Sequence, residues 1–74
     1  MKRKRVLNVW NNWNEERTKE DFEKVKNFFE MLKVDYTSEL ITSREKQFVF
    51  GCDDYEYMLI LQVLRLSDLN FDFE

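Results

Sequence analysis

Apolar residues recur along the chain at two different periods, and the switches between them mark successive elements. Residues 2–9 open with charge and then run into Val6, Leu7, Asn8, Val9 and Trp10, whose β-branched and aromatic content predicts a strand. Leu7 and Val9 share one face of it; Val6, Asn8 and Trp10 share the other. Asn11, Asn12 and Asn14 mark a turn. A helix follows, running to about Lys33, with Phe22, Val25, Phe28, Phe29 and Leu32 at spacings of three and four. Thr18 with Asp21, or Asn12 with Glu15, would cap its start. On its polar side Glu20/Lys24, Lys19/Glu23 and Lys26/Glu30 stand four apart, the spacing of helical ion pairs.

The period then shortens. Val34 to Thr42 alternates loosely and Lys46 to Cys52 more clearly, so both are read as strands. Ser43-Arg44-Glu45 joins them without Gly or Asn, which predicts a longer type I connection rather than a two-residue turn. Asp53 or Asp54 caps a second helix, Tyr55 to Ser67. Leu69, Phe71 and Phe73 alternate with polar residues as a short last strand. The order β-α-β-β-α-β predicts an α+β fold of the ferredoxin-like split type. It has a four-stranded antiparallel sheet with two helices on one face.

The second helix is apolar over more of its circumference than one packing face uses. Asp54, Gln62, Arg65 and Asp68 cluster on one side, yet Met58 and Leu61 fall within that polar stripe. Tyr55, Leu59, Ile60, Val63, Leu64 and Leu66 fill the remainder. Either the first helix covers the excess, or a partner or second copy does. We therefore expect a contact surface at Met58, Leu61 and their neighbours.

Length and composition narrow the class. Seventy-four residues make one small domain, 1–74, with a marginal core. Aromatic residues make up 16% of the chain, enough to fill such a core with few side chains. There is no His, Pro or Ala, one Gly and one Cys. Without His the usual neutral-pH acid–base chemistry is disfavoured, and a single Gly rules out a phosphate-binding glycine loop. We expect no enzyme, no cofactor and no metal. Cys52 precedes Asp53 and Asp54, whose charges oppose thiolate formation, so it is read as a small buried residue. One Cys cannot form an internal disulfide, which suits a reducing compartment. Only Val6 and Leu7 follow the basic start before Asn8, too little for a signal-peptide core, and no apolar run approaches the roughly 20 residues that span a bilayer. We expect a cytoplasmic protein with no membrane contact. The scarcity of Ala, Pro and Gly suggests an AT-rich genome, and hence a phage or mobile-element accessory.

Charge offers two further expectations. Lys2, Arg3, Lys4 and Arg5 could neutralise a few phosphates. Removing them leaves eight basic against fifteen acidic residues, a net of −7. In the expected sheet Asp72 and Glu74 lie near this run and would pair with it. From Asp53 onward there are six acids and one base, Arg65. Such a surface could occupy a basic nucleic-acid cleft on a host enzyme, though the whole chain carries only −3. Trp10 and Trp13 could stack bases or anchor a protein contact. The segment Lys46–Gly51 matches the aromatic central-strand signature of RNA-binding sheets only loosely, with Gly51 at the wrong end, so Phe48 and Phe50 are assigned to the core.

These readings converge on a small non-enzymatic interaction protein that modulates or inhibits a host protein. Its contacts would be Trp10, Trp13, Asp53, Asp54, Glu56, Met58, Leu61 and Arg65, with homodimerisation as a further expectation. The alternative is a weak nucleic-acid module using Lys2–Arg5.

Overall fold

Strand β1 (Arg3–Trp10) is followed by helix α1 (Glu15–Met31), strands β2 (Tyr36–Thr42) and β3 (Glu45–Cys52), helix α2 (Asp54–Leu66) and strand β4 (Asn70–Phe73). These elements come from a computed structural model that describes residues 2–12 and 14–74. The strands form one antiparallel sheet in the order β2-β3-β1-β4, the ferredoxin-like α+β arrangement predicted by the element order.

β1 pairs with β3 along its whole length, from Arg3 opposite Cys52 to Trp10 opposite Glu45. Leu7 and Val9 point into the core with Phe48 and Phe50, as the alternation required. Phe22, Val25 and Phe29 of α1 and Ile60 and Leu64 of α2 close over them. Phe29 is central: its ring lies 5.3 Å from Tyr36, 5.5 Å from Phe48 and 4.7 Å from Phe50. A second aromatic line runs from Phe50 to Phe73 (6.4 Å) and on to Tyr57 of α2 (5.1 Å). Thus α1 leans toward β2 and α2 toward β4.

The start of α1 differs from both expected caps. Asn14 is the N-cap, its Oδ1 accepting from the Arg17 backbone N–H at 2.9 Å. Thr18 is instead fully buried one turn inside. Its hydroxyl donates to the side chain of Asn11 and to the carbonyl of Asn14 (2.9 Å). Asn11 in turn donates to Asp21 at 2.6 Å. Burial of this polar chain, which no local pattern reveals, decided where the helix begins. The expected four-apart pairs are also replaced. Lys24 meets Asp21 at 3.8 Å and Lys26 meets Glu23 at 4.0 Å, both three residues apart.

Helix α1 ends in a Schellman motif. Lys33 takes a left-handed φ of 57°, its N–H donates to Glu30, and Val34 N–H donates to Phe29. Buried Val34 and Phe29 supply the apolar contact that accompanies such a stop. The β2–β3 connection is shorter than predicted: Ser43 and Arg44 alone link Thr42 to Glu45. Neither has a positive φ, so the primed turn types are excluded. The register also slips between Leu40 and Thr42, leaving Ile41 as an extra residue without a partner on β3.

Candidate functional site

Helix α2 carries the most exposed apolar side chains of any element facing away from the core. Its start is fixed by a capping box. Asp53 accepts from the Glu56 backbone N–H at 2.7 Å, and Glu56 accepts from the Asp53 backbone N–H at 3.0 Å. Two of the acids expected to meet a partner therefore hold the helix terminus. Asp54, beside them, is exposed.

From that start Ile60 and Leu64 reach the core, while Tyr57, Leu59, Leu61 and Val63 are half-buried at its flanks. Tyr55, Met58, Gln62 and Leu66 recur at three and four residues and point outward. Tyr55 is 73% exposed, Met58 53% and Leu66 86%. Arg65 borders this stripe and is exposed. Of the two apolar residues expected within the polar stripe, Met58 is exposed and Leu61 is half-buried at the flank. Tyr55 and Leu66, part of the apolar remainder of the circumference, lie on its exposed portion. The wide apolar arc was the signal; the angle at which α2 lies on the sheet was the missing information.

The basic run divides. Lys2, Arg3 and Lys4 are exposed. Arg5 shares the inward face of β1 with Leu7 and Val9, and its guanidinium lies 4.1 Å from the Tyr57 ring centroid. No ion pair joins Lys2–Arg5 to Asp72 or Glu74 among the described residues. Antiparallel pairing instead sets Asp72 opposite Asn8, and Glu74 accepts from the Asn8 side chain at 3.3 Å. The register of β4 stops both acids short of the basic end of β1. The six C-terminal acids do not form one surface: Asp53 and Glu56 cap α2, while Asp72 and Glu74 lie along β4.

Trp10 is half-buried at the end of β1, between Glu45 and Asn70 on the sheet face away from the helices. Its neighbours there are Asn8 and Gln47, hydrogen-bonded at 3.2 Å, and no aromatic of β3 joins it because Phe48 and Phe50 face inward. Trp13 lies outside the described residues. Cys52 is buried, and burial pushes its thiol pKa up, opposed by the nearby Arg5 charge and reinforced by Glu56. A neutral, enclosed thiol is a poor nucleophile.

A cleft of about 490 Å³ opens between α1 and β2, walled by Phe22, Leu40 and Lys46 with Glu15, Lys19, Glu23 and Ser43 at its rim. No described helix is long and apolar enough to cross a membrane.

No protein-family model and no curated protein sequence matches the chain. Among solved structures it is similar to the structured domain of Drosophila melanogaster Boca, with a TM-score of 0.70 and 12% identity over 97% of this chain and 96% of that one. At that identity the likeness is one of fold.

Proposed function

We propose that this chain is a non-enzymatic interaction protein that binds a protein partner through the outward stripe of α2 and thereby modulates or inhibits it. The observation that carries this reading is the exposure of Tyr55, Met58 and Leu66 on one helix face. Water contact of three large apolar groups in register costs free energy that a complementary groove recovers. Met58 adapts to such a groove, and Tyr55 adds a rigid anchor with a polar tip. Asp54 and Arg65 at the border supply orientation and steering. A host enzyme, with the protein acting as a phage or mobile-element accessory in the cytoplasm, fits the composition and the single enclosed thiol.

Nucleic-acid binding fits less well, since Arg5 is committed to Tyr57 and the open sheet face offers Trp10 among carboxylates and amides.

The test is affinity capture from native host cells with wild type and with Met58→Glu/Leu66→Glu, followed by binding measurements on the purified partner. Wild type is expected to retain a discrete protein, with affinity reduced at least about tenfold in the variant. Equal binding by a folded variant would refute the α2 surface.

A further inference from the structure

The exposed residues of α2 are Asp54, Tyr55, Met58, Gln62, Arg65 and Leu66, and the helix runs unbroken beneath them. Asp54 and Arg65 stand eleven positions apart, and so do Tyr55 and Leu66. Eleven residues make about three helical turns, so the members of each pair lie one above the other. Asp54 and Arg65 therefore share one edge of the stripe, and Tyr55 and Leu66 share the other. Met58 and Gln62 lie between the two edges. All three pairs are centred close to the level of Ile60.

That arrangement matches its own copy. A two-fold axis laid across the helix at the level of Ile60 reverses its direction and keeps each edge on its own side. Asp54 of one copy then lies beside Arg65 of the other, once at each end. Tyr55 of each copy packs on Leu66 of the other, and Met58 meets Gln62 across the middle. Parallel pairing would instead set acid against acid and base against base, so the charges select the antiparallel contact. Neither Asp54 nor Arg65 has an ion pair within the chain among the described residues.

We propose that a second copy of this chain occupies the α2 stripe, its own α2 running antiparallel, with Asp54 of each copy paired to Arg65 of the other. The contact is isologous, as a two-fold dimer requires. It rests on the reading of this stripe as a contact surface and names a second occupant for it. One helix against one helix is a small interface, so the association is weak and reversible. At low concentration the stripe stays open to a protein partner. At high concentration the second copy masks it, and the two compete.

Sedimentation equilibrium on the full chain, from about 1 μM to 500 μM, tests it. A monomer–dimer equilibrium is expected, and Met58→Glu/Leu66→Glu abolishes it. Asp54→Arg and Arg65→Asp each weaken it about threefold or more, and the two together restore it, because the exchanged charges still meet. Each exchange also sets a charge at the unfavourable end of the helix dipole. A merely structural effect would therefore leave the double variant weakest of all, which overturns the proposal. So does a wild type that stays monomeric, or a dimer that survives Met58→Glu/Leu66→Glu. Methyl resonances of the wild type read the same contact without substitution. That of Met58 shifts as concentration rises, while that of Met31, 75% exposed on α1, does not. An unmoved Met58 methyl at dimeric concentrations contradicts the pairing. Capture from host cells reads the other occupant separately. A monomeric chain that still retains a host protein loses the self-contact alone; a dimer with the expected charge rescue that retains none supports the self-contact and ends the host-partner reading.

Discussion

The guanidinium of Arg5 and the ring of Tyr57 are stacked 4.1 Å apart, tying β1 to α2. One member of the basic run is thereby part of the packing between sheet and helix. Arg5→Gln removes the cation–π contact and part of the packed stem, and should cost about 1–2 kcal/mol. Arg3→Gln, exposed on the same strand, should stay within about 0.5 kcal/mol. Urea unfolding of both variants reads the difference, and equal costs would contradict it.

Asp53 and Asp54 are adjacent but do different things. Asp53→Ala breaks the capping box and should lower stability by about 1 kcal/mol. Asp54→Asn should leave stability nearly unchanged and, with a purified partner at low salt, slow association without altering dissociation. Thermal melts and stopped-flow kinetics separate the two. An Asp54→Asn chain that associates at the wild-type rate would remove the steering role.

Lys33 pays for its left-handed φ of 57° with steric strain that Gly would not have. Lys33→Gly should raise stability by about 1 kcal/mol, since the Schellman bonds to Glu30 and Phe29 use only backbone. A loss of stability on chemical denaturation would show that the Lys33 side chain contributes to packing.

The Cys52 thiol has its pKa raised in the fold, chiefly by burial. The folded state therefore holds the proton more tightly than the unfolded chain. The stabilisation is complete below the ordinary thiol value of 9.0 and is lost as pH rises through the higher folded value. Wild type should lose stability relative to Cys52→Val as pH climbs from about 8 to 10. A stability difference that does not change over that range would contradict the assignment.

Much of the fold was legible because the hydrophobic period switches sharply. Leu7 and Val9 against Phe48 and Phe50 fix the sheet's inner face, and Phe22, Val25 and Phe29 fix that of α1. The true cap of α1 was not legible, since Asn12, Asn14 and Thr18 are all good caps and the choice rests on burying Thr18 with Asn11 and Asp21. Arg5 left a usable signal, its phase with Leu7 and Val9, which the charge of its neighbours obscured. On α2 the apolar surplus was visible, but Tyr55 and Leu66 could not be told from packing residues before the sheet beneath them was known.

If the α2 stripe meets a protein partner, separate positions along it touch the same molecule. Site-specific photo-crosslinking in native host cells tests it most directly, with benzoylphenylalanine placed at Met58, at Leu66 and at exposed Glu20 on α1 as the control. One discrete crosslinked protein is expected, shared by positions 58 and 66 and absent at position 20. Crosslinks missing from both α2 positions, or identical at all three, would contradict it.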